Sequence, residues 1–469
     1  AISSFASSSS SVYTATFTPA ADGLTSVNIA AGAFTDASSN SNTAATEFSW
    51  TYNGTPASVS SVALASNNST IAVTMDKAVY STGGGSGALE TTDFSLAISG
   101  GSASLSSATP SSISASGNVY TLGIGITGTP DGSEVVTVNP VSGSIYDAYG
   151  NISTNSQSNN TATLNDQLSP TVSITAVSSS GDAVSSGSTT NDASIILTLT
   201  ASESTSNLAS ADVTVSGGSL SSFSGSGTTY NVTFTPSASG ATTVDIAASG
   251  FTDAAGNNNT AATQFAWTFD GTEPTISSVS LAADNANIAV TMSEAVYNAA
   301  GGSGALEVAD FALSISGGSA TLSSSTPSSI SSSGNIYTLG IGITGTPDGS
   351  EVLTVTPVST SIYDAYGNTS STSQSNNTAT LNDQLSPSVT ITVANSGGSS
   401  VSSGSTTNDA TLSLTFTSSE NTTTLAAGDV SVTGGSISSF SGSNATYTAT
   451  FTPSSDGAVP IDLGANKFT

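Results

Sequence analysis

Residues Leu197–Gly218 read LTLTASESTSNLASADVTVSGG. At its start Ile195, Leu197 and Leu199 alternate with Ser194, Thr198 and Thr200. The period is two, not 3.6, so one face of a strand meets a core and the other meets water. The same places are held further on by Leu412, Leu414 and Phe416. Other runs alternate likewise: Ile71, Val73 and Met75; Ile288, Val290 and Met292; Tyr230, Val232 and Phe234; Phe265, Trp267 and Phe269. Clusters of Gly, Asn, Asp, Ser and Pro separate roughly seven such runs per module at spacings of about 8–15 residues, the pattern of an antiparallel sandwich. No amphipathic helix stands out. The expected fold class is all-β, a tandem array of antiparallel β-sandwiches forming an extended rod.

The array reading comes from repetition. LNDQLSP at Leu164–Pro170 returns at Leu381–Pro387, 217 positions later. YTLGIGITGTPDGSEV, starting at Tyr120, returns at Tyr337, and Tyr146–Asn151 returns at Tyr363–Asn368. A long period means one physical unit is being stacked. The period divides into a shorter module, A, and a longer one, B. They share a Pro-led start, a strand closing on Ser-Glu, an Asp before a strand ending Gly-Gly, a Tyr-led strand and an Asp-x-x-Gly-Asn turn. In A these are Pro170, Ser202-Glu203, Asp212 with Gly217-Gly218, Tyr230 and Asp253–Asn257; in B they are Pro274, Ser293-Glu294, Asp310 with Gly317-Gly318, Tyr337 and Asp364–Asn368. The expected division is 1–54 (second half of an A module), 55–168 (B), 169–271 (A), 272–386 (B) and 387–469 (A, stopping before its last strand). Residues 1–35 and 435–469 are two copies of one region, which favours a segment of a longer array over a head-to-tail donor-strand joint.

Leu197–Gly218, the stretch Phe251–Asn257 and the Pro-led starts resemble the bacterial immunoglobulin-like (Big-type) domains of giant cell-surface adhesins, and the resemblance runs through essentially the whole chain. It implies tandem, mechanical domains outside a bacterial cell, at its surface, often with calcium between modules.

Composition narrows the chemistry. The 469 residues include 31 Asp plus Glu against two lysines, Lys77 and Lys467, with no histidine or cysteine and a net charge of −29. Nucleic acid and anionic membranes are poor partners for such a surface; divalent cations and positively charged surfaces are better ones. Low-complexity polar chains are often disordered, but here the apolar residues are patterned. No run of 18 apolar residues offers a membrane span, and no signal peptide opens the chain, so an export signal and an anchor are expected elsewhere. A Ser nucleophile lacks a His base, and the two lysines do not recur in equivalent modules. Zinc and copper want His or Cys. Carboxylates copied into every module suit no glycosidase pair. No enzymatic activity is expected.

Calcium needs only oxygen ligands. In a seven-strand sandwich the second and sixth strands end at the pole from which the first departs. Ser-Glu closes the second, Asp-x-x-Gly-Asn follows the sixth, and a linker Asp precedes the first. Three carboxylates should therefore converge at a module junction: Asp166, Glu203 and Asp253; Asp270, Glu294 and Asp364; and Asp383 with Glu420, whose third partner would follow Thr469. Plain turn chemistry accounts for the same aspartates, since Asp caps such a turn and Gly takes positive φ. The first B copy is a control: Asn53 replaces Asp270, Lys77 replaces Glu294, and Asp147 remains. That junction should bind no calcium, with Lys77 pairing with Asp147 in the ion's place.

Other features are weaker. Asp131–Glu134 and Asp348–Glu351 read as turns or as ligand sites. Thr82–Gly87 reads as a flexible surface loop with no phosphate-binding Lys or helix after it. Trp50 and Trp267 read as core. Sequons such as those at Asn231 and Asn444 recur by composition alone. The function expected is the stalk of a large secreted adhesin, at about 35–45 Å per sandwich and about 150–200 Å in all, with neighbouring modules as its partners. Two alternatives are a self-assembling extracellular filament or sheath, in which other copies of the chain are the partners, and a carbohydrate-binding array using B loops such as Ser81–Thr92.

Overall fold

A computed structural model describes residues 1–469. It is built of β-strands, and its helical elements are four three-residue 3₁₀ turns, Thr91–Asp93, Ser210–Asp212, Val308–Asp310 and Ala427–Asp429. The chain divides into two compact units, Ala1–Phe269 and Asp270–Thr469.

The first unit opens with two hairpins, Ile2–Ser9 with Val12–Phe17 and Gly23–Val27 with Phe48–Tyr52. Their large apolar residues, among them Phe5, Tyr13, Leu24 and Phe48, are exposed. Next comes a sheet ordered Ile113–Ser116, Val119–Gly123, Thr70–Met75, Val59–Leu64, with a second of Thr161–Thr163, Val135–Pro140 and Phe94–Ser99. Ile71, Val73 and Met75 point inward with Leu122, Val136, Val138 and Phe94 to make one core. The following stretch carries four-stranded sheets on both sides of a second core. One is ordered Ala183–Val184, Val172–Ser178, Ile195–Thr205, Gly218–Pro236; the other Thr189–Thr190, Phe265–Phe269, Gly240–Ile246, Val213–Ser216. Its pairings are antiparallel except that of Thr189–Thr190 with Phe265–Phe269. Ile195, Leu197 and Leu199 from one sheet meet Val244, Phe265 and Trp267 from the other. Trp267 stands edge-on to Phe234 at 4.6 Å, so it is core, as its in-facing position implied. Aromatic pairs of this geometry add to burial.

The second unit repeats the plan. Ile276–Leu281, Asn287–Met292, Ile336–Gly340 and Ile330–Ser333 form one sheet, and Phe311–Ser316, Val352–Pro357 and Thr378–Thr380 another. After them Val389–Asn395, Leu412–Thr422 and Gly435–Pro453 pair antiparallel, the last two with a break in register between Thr417 and Thr422, and Val430–Val432 pairs with Ile461–Leu463. Leu414, Phe416 and Phe451 are fully buried there.

Two details differ from the sequence reading. The B stretches carry more than seven strands, because two-residue ladders such as Ser104–Leu105 with Ile126–Thr127 close their loops. Pieces this short show no alternation to read. In the A copies Ser202-Glu203 lies inside a strand that runs on to Thr205, past a break in register after Thr200.

The recurring Asp and Gly-Gly positions acquire physical reasons. Asp212 closes its 3₁₀ turn by accepting the Ala209 amide at 2.8 Å, and Asp93, Asp310 and Asp429 do the same for Glu90, Glu307 and Ala426. Gly318 has φ of +52°, and a Cβ there would collide with the buried Glu351 carboxyl; Gly101 faces Glu134 in the same way. Glycine takes such a φ at no steric cost.

Candidate functional site

The Asp-x-x-Gly-Asn turn is a self-sufficient element. Asp253 Oδ1 accepts the amides of Ala255 (2.8 Å) and Asn257 (2.9 Å), and Oδ2 accepts Asn257 Nδ2 (2.9 Å). Asp364 holds its turn with the same three bonds, its Oδ1 also accepting the Gly367 amide at 2.7 Å, and Asp147 holds its turn with those three. So does Asp36 in the opening fragment. Turn chemistry is therefore present in every copy of the motif. The linker aspartates also make small turns: Asp166, Asp270 and Asp383 each accept the amide two residues on, at 2.9, 3.0 and 2.8 Å.

What separates the copies is the third group. Ligand oxygens of Asp166, Glu203 and Asp253 lie within 4.8 Å of one another, and so do those of Asp270, Glu294 and Asp364. Asp253 and Asp364 are buried, and the other four are partly buried. The fold thus brings together both complete triads. Asp383 stands beside Glu420, whose Oε1 is buried without a hydrogen-bond partner; Glu203 Oε1 is in the same condition.

Electrostatics follow from this crowding. Burial raises the Glu203 pKa above the ordinary glutamate value, and the carboxylates of Asp166 and Asp253 raise it further. Glu294 is raised by burial, then by Asp364 and Asp270; Glu420 by burial, then by Asp383. Like charges held together disfavour ionisation. The chain has only two lysines and no other cationic side chain, and neither belongs to a triad. An oxygen-only donor set with an orphaned buried carboxylate oxygen fits a hard divalent cation such as Ca²⁺.

The first B copy differs as its sequence implied. Lys77 Nζ lies 3.9 Å from Asp147 Oδ2, at the outer edge of an ion pair, and donates to the Thr55 carbonyl at 2.8 Å. Asp147 is only 1% exposed. Burial pushes its pKa up, but hydrogen bonds from Asn151 and Tyr149, with the Lys77 charge, bring it below the usual value. Asp22 also belongs to this joint, and sequence reasoning missed it. Its Oδ1 accepts the Gly54 amide (2.7 Å), and its Oδ2 accepts the amide and hydroxyl of Thr55 (3.2 and 2.5 Å). The equivalent of Asp22 in the next A copy is Ser239. That change, beside Lys77 for Glu294, was the signal that could have found it.

The Asp131–Glu134 segment is a turn around a buried acid. Glu134 is fully buried, with Oε1 accepting the amides of Ser102 and Ala103 and Oε2 that of Asp131. Glu351 repeats the arrangement with Ser319, Ala320 and Asp348. With their oxygens engaged by backbone, these glutamates hold loops in place. Thr82–Gly87 closes on itself through Thr82 and Ser86.

Comparison with known proteins follows the modular pattern. A family model described as Bacterial Ig-like domain matches residues 166–268 and 383–469. These stretches begin at the linker residues Asp166 and Asp383, and the first contains a complete triad. Among solved structures, invasin, titled a bacterial integrin-binding protein, is similar over 88% of this chain and 76% of that one, at 14% identity and a TM-score of 0.27. A likeness that distant carries no structural argument. No curated protein matches. The sheets and cores of residues 166–268 and 383–469 agree with that match: these two stretches are similar to bacterial Ig-like domains.

Proposed function

We propose that this chain is part of the stalk of an extracellular, adhesin-like bacterial surface protein, and that calcium stiffens its module junctions. On this reading the modules run 1–54, 55–168, 169–271, 272–386 and 387–469. The observation that carries the reading is the Asp166–Glu203–Asp253 triad, in which one glutamate oxygen is buried without a partner. Asp166 belongs to the linker before the A module, and the other two belong to the module itself. An ion held by all three would tie the linker to the body of the domain and remove a hinge. Asp270, Glu294 and Asp364 would act likewise, and Asp383 with Glu420 would contribute to a third site. The ion would supply charge neutralisation and coordination only; no chemistry is performed. A surplus of negative charge also discourages lateral pairing of exposed strand edges.

Negative-stain images and scattering from the full chain test the stalk. Single thin rods, straighter in millimolar calcium than in chelator, are expected. Ordered lateral bundles would contradict it and favour a filament.

A further inference from the structure

We infer that the joint at residues 53–55 is closed by the protein's own ammonium, Lys77, and needs no metal. Its contrast with the acidic triads rests on the calcium reading above, but the role of Lys77 does not. Three parts of the first unit meet there. The opening fragment supplies Asp22, whose carboxylate takes two consecutive linker amides and the Thr55 hydroxyl. The linker supplies the Thr55 carbonyl, which accepts from Lys77 Nζ at 2.8 Å. The B copy supplies Lys77 and Asp147, and Asn151 of the same turn donates its Nδ2 to the Asn53 carbonyl at 3.1 Å.

Thr55 is held on both faces, its amide and hydroxyl by an anion and its carbonyl by a cation. The two anions, Asp22 and Asp147, share the one ammonium as their neighbouring positive charge. In the second B copy the positions of Asn53 and Lys77 are taken by Asp270 and Glu294, so the same fold position carries three carboxylates and no ammonium. Replacing a bound ion by a tethered one removes the dependence on calcium concentration. The chain then mixes one joint that is always closed with joints that respond to the ion.

The test is hydrogen exchange on the full chain, read at the 53–56 linker and at the 166–168 linker, with calcium and with chelator. Protection at 53–56 should be the same in both conditions. In Lys77→Met and Asp22→Asn it should fall, with exchange at least about tenfold faster, while strand Thr70–Met75 stays protected; Lys77→Arg should restore it. Chelator should expose 166–168 but not 53–56. If chelator exposes 53–56, or if Lys77→Met leaves it protected, the inference is overturned. If chelator changes neither linker while the variants open 53–56, the calcium reading fails and the Lys77 joint stands. Asn53→Asp with Lys77→Glu gives a second arm. It should make 53–56 protection calcium-dependent wherever wild-type 166–168 is so, and protection insensitive to chelator in that variant would contradict the substitution of ammonium for ion.

Discussion

At Glu203 a carboxylate oxygen is buried without a partner beside two aspartates. Without metal that arrangement is destabilising, and the sign is testable. Glu203→Gln should stabilise the fold in chelator by up to about 1 kcal/mol for a part-exposed charge cluster, seen as a higher melting temperature, while lowering the gain from calcium. A plain structural glutamate would give the opposite sign in chelator. The pH dependence follows from the same shift. The Glu203, Glu294 and Glu420 pKa values are raised on folding, so the folded state holds protons that the unfolded chain has released. Stability in chelator should therefore rise as pH falls from neutral through the folded pKa values, until the unfolded pKa is reached. Asp22, Asp131 and Asp147 are lowered, so their contribution is lost only at more acidic pH. Thermal melts across the two ranges should show a rise and then a fall. A monotonic fall from neutrality would contradict the crowded-carboxylate account.

Individual strands and turns were legible where period and burial coincide. Ile195, Leu197 and Leu199 alternate because one sheet face is dry, and all three are fully buried. Leu197→Ala should cost about 2–5 kcal/mol through the cavity it leaves, measured by denaturant unfolding. The Asp turns were legible too, because their hydrogen bonds are local. Glu134 was not. Its segment has the composition of an exposed turn, yet folding carries the carboxyl beneath Gly101 to three backbone amides. The pair Gly100-Gly101 was the available sign. Hydrogen bonds to a charged group contribute about 1.5–3 kcal/mol each, so Glu134→Ala should destabilise the 57–164 core by at least about 3 kcal/mol while leaving calcium binding intact. Asp22 was hard to read for another reason: Thr55 lies 33 positions on and reaches it only through the pairing of Gly23–Val27 with Phe48–Tyr52, so the change from Ser239 was its one sign.

Across the whole molecule, a net charge of −29 with only two lysines leaves carboxylate clusters that the protein cannot neutralise by itself. One joint, at 53–55, has its own cation, and two triads have none. On the stalk reading proposed above, the acidic joints would be loose where calcium is scarce and stiff where it is abundant, at the millimolar to submillimolar affinities typical of extracellular modules. Calorimetric titration of the full chain with calcium, set beside the Glu203→Gln/Glu294→Gln double variant, tests this most directly. The account predicts saturable binding in the wild type that falls by two sites in the double variant. No saturable binding, or the same stoichiometry in both proteins, would contradict it.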